Sequence, residues 1–591
     1  MANYFANNIR LFNQKNYFQI SYNRIQNFIS NEEEKSSIPE NINEDEYVEL
    51  RRLGNGSIFA VCLFYHIEKG ELRAIKKPNL FDLHRYVKRD ITKAIHYYTL
   101  ASNQGSKSSQ FMLGLIYDKF EQINRDVKKA IYYYTLAANQ NYQQAQYRLG
   151  LIYLEKEFSD INKAISYFKL AAAQDHPESQ LILGFLFHKT LYITRDMNKA
   201  IHYYSLAARH NISHAQFYLG VIYYEGKYVT IDINKALYFF ELASRQNHLQ
   251  AQFYLGFIYY DGIYVKQDIN KSIYYLSQAA NQNCSEALFN LGFIYNEGKF
   301  FPRDTEKAIY YYSLAAKLND DYAQFNLGTI YYKGIYVTRD INKAIYYYSL
   351  AANQNNSKAQ INLGVIYSSG KYIECDYKKA IHYYTLAANQ KEPLAQLNLG
   401  VFYSSGKCIK CDFNKAIHYF TLAADQKEPM SQFNLGVIYF EGKFVKRDIN
   451  KAIHYYTLAA NQNYPSAQYN LGLIYYLGNY SQPDVKKGRY YIMLASKNGD
   501  KNANFAHGSL LHEGKVCTRN IKEAIHFYKE ASSFNNQYAK NNLGVIYKNG
   551  FENEIPKNIG IAIDYFKEAI KQKKEYLSMY ILQYFCSYLI I

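Results

Sequence analysis

The side chains here that could bind a metal, move a proton or read a ligand recur at fixed positions along a repeating sequence. Cys408 and Cys411 form a C-x-x-C pair, and Cys375 stands 36 residues before Cys411. Zinc needs four ligands, and no second pair follows at ligand spacing, so these thiols read as neither metal site nor redox pair. His96, His202, His382, His418, His454 and His526 share one position of the repeat, which Tyr holds elsewhere, as at Tyr310. No Cys or acidic residue accompanies that column at ligand spacing, so it reads as surface packing. Aspartates recur too, at Asp196, Asp232, Asp268, Asp304, Asp340, Asp376, Asp412 and Asp448. Each precedes a helical pattern, where a carboxylate accepts orphan backbone N–H groups, so an N-cap accounts for them better than acid–base chemistry. Asparagines form the remaining column: Asn290, Asn326, Asn362, Asn398, Asn434, Asn470 and, after a gap, Asn542. An amide carries both donors and an acceptor, so a row of them can pair with the backbone of an extended peptide. No catalytic residue, metal or cofactor is expected.

The elements that position these columns follow from one glycine. Gly114, Gly150, Gly184, Gly220, Gly256, Gly292, Gly328, Gly364, Gly400, Gly436, Gly472, Gly508 and Gly544 are 36 residues apart, except for one interval of 34 between Gly150 and Gly184. Around each, as at Ser431–Phe440, apolar residues recur with helical spacing. A glycine inside a helix costs about 1 kcal/mol relative to Ala, so its repetition predicts close approach of a neighbouring helix. A second glycine, such as Gly226, Gly442 or Gly478, suits the left-handed end of that helix. The recurrent Asp then opens a second helix, as in Asp448–Asn463. Neither helix can bury its apolar stripe alone, and stacking successive pairs gives a continuous core. Thirteen first-type and fourteen second-type helices are expected.

The pattern A-x-x-x-L-G-x-x-Y-x-x-G, a loop, then D-x-x-K-A-x-x-Y-Y-x-x-A-A resembles the Sel-1-like repeat, a 36-residue relative of the tetratricopeptide repeat. It covers residues 90–573 as about 13 repeats. The familiar Trp of the second helix is Tyr here, as at Tyr455, and the second loop glycine is usually absent. The resemblance implies an all-α fold, a right-handed α/α superhelical solenoid of helix–turn–helix repeats. It also implies a scaffold or adaptor role, with partner segments on the concave side that first helices line in related repeats.

Before the repeats, residues 47–77 read YVELRRLGNGSIFAVCLFYHIEKGELRAIKK. Leu53, Gly54, Gly56, Ser57 and Val61 resemble the glycine-rich loop of a protein kinase N-lobe, and Ala74, Ile75 and Lys76 its phosphate-pairing strand. Residues 45–78 are therefore expected to form a small N-terminal β fragment. Phe59 replaces the third loop glycine, and no H-R-D-x-x-x-x-N or D-F-G segment follows. Phosphoryl transfer needs a positioned base and metal-bound phosphates, so Gly54, Gly56 and Lys76 are at most nucleotide-binding. Residues 1–44 read as an N-terminal segment and linker, and residues 574–591 as a capping helix or a weak tail anchor.

Composition narrows the function class. A hydrophobic fraction of 48% excludes a disordered chain. The net charge of +17 comes from lysines placed one per repeat without a dense basic cluster, so no nucleic acid is expected. The start, MANYFANNIRLFNQ, lacks the apolar core of a secretory signal, so reduced thiols in the cytoplasm are expected. The reading is a non-catalytic protein-interaction scaffold binding extended or disordered partner segments, with no small-molecule substrate. A nucleotide-binding or signalling protein built on the kinase-like fragment is one alternative. A membrane-associated adaptor for protein quality control is another.

Overall fold

The computed structural model describes residues 62–66, 71–75 and 91–570, apart from 120–123, 156–158, 190–193, 406–410, 444, 479–482, 516 and 552–553. Two five-residue strands, Cys62–His66 and Glu71–Ile75, pair antiparallel with Cys62 opposite Ile75. This pair is all that is described of the β fragment expected over residues 45–78, and it lends the kinase likeness no support, because Gly54, Gly56 and Lys76 lie outside the described residues. So do residues 1–44 and 574–591. From Ile91 to Ile570 the described secondary structure is twenty-seven helices, alternating between the two expected types. They fall into two compact units divided after Leu318. Thirteen helices belong to the first unit and fourteen to the second, and within each unit every helix packs on its sequence neighbours.

Local chemistry sets the helix ends. Second helices open on the expected aspartate: Asp232 Oδ1 accepts from the Lys235 N–H, and Asp412 Oδ1 from the Lys415 N–H, both at 3.0 Å. They close on a residue in the left-handed region, such as Asn247 in the first unit and Asn463 in the second (both φ 60°), a conformation Asn tolerates better than most residues. The Asn-rich tail of the repeat is therefore a helix stop. First helices close on a left-handed glycine, as at Gly226 and Gly442.

The glycine inside the first helix has a steric cause, as expected, but the intruder is a ring. A Cβ on Gly364 would lie 2.6 Å from Tyr384 Cε1, and one on Gly220 would lie 2.6 Å from Phe240 Cδ1. The second helix thus drives an aromatic side chain against bare backbone. Tyr134, Phe168, Tyr204, Phe240 and Tyr312 occupy this place in the first unit, and Tyr348, Tyr384, Phe420, Tyr456 and Tyr528 in the second, all buried. Leu276 and Ile492 fill the same space against Gly256 and Gly472.

A polar ladder threads the seam. Gln396, buried in a first helix, donates Nε2–H to the Ala388 carbonyl and accepts at Oε1 from Gln426 Nε2 at 2.9 Å. The glutamine pairing recurs in the second unit as 324–354, 360–390 and 432–462, and in the first as 110–140, 146–174, 216–246 and 252–282. Where the first member becomes Leu288, the second becomes Leu318. Removing one buried partner costs about 1–3 kcal/mol, whereas removing both with apolar groups is close to neutral. Gln396→Leu is therefore expected to lower stability, and Gln426→Leu added to it to restore part of the loss. Urea melts of the two singles and the double check this; strictly additive losses would contradict it.

Candidate interaction surface

Every sequence column lands on a defined part of the hairpin. Asn326, Asn362, Asn398, Asn434, Asn470 and Asn542 lie on first helices and are half-buried. Asn470 Nδ2 donates to the Tyr456 hydroxyl at 3.3 Å, and Asn362 pairs with the Tyr348 hydroxyl in the same way. Each of those tyrosines stands fourteen residues earlier, on the preceding second helix. Asn398 donates to the Leu394 carbonyl of its own helix at 2.9 Å. Asn290 departs from the row. It is 1% exposed, and neither amide atom has a protein hydrogen-bond partner. Leu276 stands fourteen residues before it, where a tyrosine hydroxyl would be. Asn290 is out of reach of a partner and leaves the candidate surface.

The histidine column lies on the outer face of the second helices. His96, His202, His382, His418, His454 and His526 are exposed, as is Tyr310 at the same position. His418 makes an edge contact with Tyr419, with ring centroids 5.3 Å apart. Cys375 and Cys411 share one loop position, and each donates its thiol to a carbonyl seven residues earlier, at Ser368 and Ser404. Arg339 and Arg447 stand at that position elsewhere and donate Nε to the carbonyls of Tyr332 and Phe440. These cysteines thus take a weak form of a helix-end contact, while Cys408 lies outside the described residues. Among the described residues, no three His, Cys, Asp or Glu side chains gather into a group that could hold a metal.

One repeated constellation escaped the sequence reading. In the first unit, Lys235 Nζ lies 5.1 Å from the Tyr223 centroid, and Tyr223 stacks on Phe239 at 6.1 Å with a 7° interplanar angle. In the second, Lys415 covers Tyr403 at 5.1 Å, and Tyr403 stacks on Tyr419 at 5.9 Å and 4°. The same lysines approach the capping carboxylates, Lys235 to Asp232 at 3.0 Å and Lys415 to Asp412 at 3.8 Å. The Lys235 backbone N–H, then its ammonium, holds the Asp232 carboxyl below the ordinary range. Exposed pairs of this kind contribute little stability. They do decide how the positive charge is presented. Lysines recurring at this position, such as Lys235 and Lys415, sit between an acidic cap and a ring, so their charge is spread one per repeat along the second helices. The signal in the sequence was a lysine twelve residues after one tyrosine column and four before another. No helix among the described residues is long and apolar enough to cross a membrane.

Comparison with known proteins agrees with this architecture. The Sel1 repeat model matches fourteen tandem copies, contiguous over residues 81–533 and again at 537–574. The first copy, 81–106, contains only a second-type helix among its described residues. A solved structure of c5321, a protective antigen present in uropathogenic Escherichia coli strains and displaying an SLR fold, is 26% identical. That match covers 82% of this chain and 98% of c5321, with a TM-score of 0.56. A Sel1 repeat protein from Oxalobacter formigenes is 28% identical over 53% of this chain and 90% of its own, with a TM-score of 0.46. None of the curated proteins compared with the chain matches it. With its repeated hairpins, its glycine–ring seams and fourteen matched copies, the chain belongs to the Sel1 repeat family.

Proposed function

We propose that this protein is a non-catalytic scaffold of the cytoplasm that binds extended segments of partner proteins along the amides of its first helices. The observation that carries this reading is the row Asn326, Asn362, Asn398, Asn434 and Asn470. Five consecutive repeats place a half-buried amide at the same point of the first helix. An amide offers two N–H donors and an oxygen acceptor. The bond of Asn470 to Tyr456, or of Asn398 to Leu394, uses one of these. The remaining capacity suits a peptide backbone, which presents one donor and one acceptor per residue. Contacts of this kind hold a chain without selecting its side chains, and selectivity then falls to the residues between the amides. The family supports the reading, since its repeat is a scaffold fold of the kind that binds protein partners.

The test is the triple variant Asn362→Ala, Asn398→Ala, Asn434→Ala in the full chain. Each lost hydrogen bond is worth about 0.5–1.5 kcal/mol, so affinity for a captured partner segment is expected to fall roughly tenfold to a hundredfold or more. Helical circular dichroism should stay unchanged. A folded triple variant that binds with the original affinity removes this reading.

A further inference from the structure

The lysine–ring–ring stack is displaced at one place in the second unit. Where other first helices carry Tyr403, Tyr439 and Tyr475, the helix Lys501–Glu513 carries Leu511. Phe527, on the following helix Ile521–Ser533, would be the partner of that missing ring. It packs instead on His507, one helical turn earlier, with ring centroids 4.2 Å apart. His507 itself replaces the leucine seen at Leu435 and Leu471. Two charge changes accompany the shift. Glu523 stands where Lys415, Lys451 and Lys487 stand, and Arg489 stands where Ile417 and Ile453 stand.

The ring and the ammonium that fill this place in other repeats are thus both gone. A half-open hollow of about 380 Å³ with a mainly polar lining remains, bordered by Arg489, Leu511, Arg519, Lys522, Glu523 and Glu554 among others. That is within the size range of small-ligand sites. Three cations face it against two carboxylates. Glu523 is partly committed, since its Oε2 accepts from Asn520 Nδ2 at 3.0 Å. The helix opening on the cavity is capped by that neutral asparagine instead of an aspartate. Arg519 is held in place by an Nε–H bond to the His512 carbonyl at 2.9 Å and by the Phe551 ring, 4.2 Å from its guanidinium carbon.

We propose that this cavity binds an oxyanion, a carboxylate or a phosphate, between Arg489, Arg519 and Lys522. A guanidinium presents paired N–H donors in a plane that matches either group, and an ammonium adds a point charge. The site is separate from the asparagine row and does not depend on it.

Titration of the full chain with inorganic phosphate, and separately with acetate, tests this by calorimetry and by the side-chain signals of ¹⁵N-labelled arginine. Saturable binding is expected for at least one of the two anions, with the Arg489 and Arg519 signals shifting. Saturation by phosphate alone assigns the site to phosphate groups, saturation by acetate alone to carboxylates, and saturation by both to oxyanions generally. Leu511→Tyr, which restores the residue of the neighbouring repeats, should fill the cavity and weaken binding about tenfold or more. Arg489→Ile, likewise the residue of other repeats, should do the same. Both should remain folded for that reason, which circular dichroism checks. Absence of saturation by either anion, or equal affinity in wild type and both variants, would show that Arg489 merely balances the local carboxylates, and overturns the proposal.

Discussion

Tyr384→Ala is expected to destabilise the second unit by about 3–5 kcal/mol, the usual cost of emptying a large buried aromatic site. Tyr384 is 2% exposed, and its ring lies over Gly364 on one first helix. The same contact makes an opposite-looking substitution harmful as well. Gly364→Ala would gain about 1 kcal/mol of helix propensity in an open helix. Here the new Cβ would stand 2.6–2.7 Å from three ring atoms of Tyr384, and overpacking of this kind costs about 1–3 kcal/mol. Gly560→Ala is the control, because its nearest contact is Asn558 Oδ1 at 3.5 Å. It should leave stability unchanged or slightly raised. Stability in a repeat stack passes between neighbours, so amide hydrogen exchange over residues 357–389 is the appropriate measurement. Gly364→Ala that matches Gly560→Ala would mean the glycine column is not a steric feature.

Acid is expected to weaken the first unit through His248. Burial, and then the charge of His214, lowers its pKa from 6.5 to about 3. Its Nδ1 caps a helix by accepting from the Ala251 N–H at 3.3 Å, which requires the neutral ring. The unfolded chain takes up a proton near pH 6.5, while the folded chain does not until near pH 3. Stability from this residue is therefore complete above pH 6.5 and is lost as pH falls through that window, at about 1.4 kcal/mol per pH unit. By pH 4.5 the loss is roughly 3 kcal/mol. Asn356 fills the same cap position in the second unit, with Oδ1 accepting from the Ala359 N–H. His248→Asn should thus keep the cap and flatten the pH dependence of exchange over residues 213–261. His176 is also buried, and burial lowers its pKa in the same direction, so some dependence of the same sign remains. An unaltered acid profile in His248→Asn would contradict the assignment.

The sequence made the helices legible because their signals are local. The Asp caps, the closing glycines and the apolar stripes act within one or two turns of the residues that carry them. The pairings between columns were not legible in the same way. Gly364 and Tyr384 are twenty residues apart, Gln396 and Gln426 thirty, and in a regular repeat every column recurs equally often, so periodicity cannot say which column faces which. Only the exceptions carry that information. Leu288 changes together with Leu318, as expected if the glutamine columns meet. Leu511 and His507 break their columns together, as expected if the ring stack has moved by one turn. Asn290 looked like its neighbours because the change that removes its hydroxyl partner, Leu276 in place of a tyrosine, lies on another helix. The kinase-like residues Gly54, Gly56 and Lys76 lie outside the described residues, and their likeness remains a property of the sequence.

Photo-crosslinking decides the account's main claim most directly. A photoreactive residue would be placed in the full chain at 362, 398 or 434 on the first helices, and at 382, 418 or 454 on the second. Irradiation in extract of the native cell is expected to attach one protein segment from the three first-helix positions and nothing from the exposed second-helix histidine positions. Adducts formed only from positions 382, 418 and 454 would contradict it, because the binding face would then be the outer surface of the second helices.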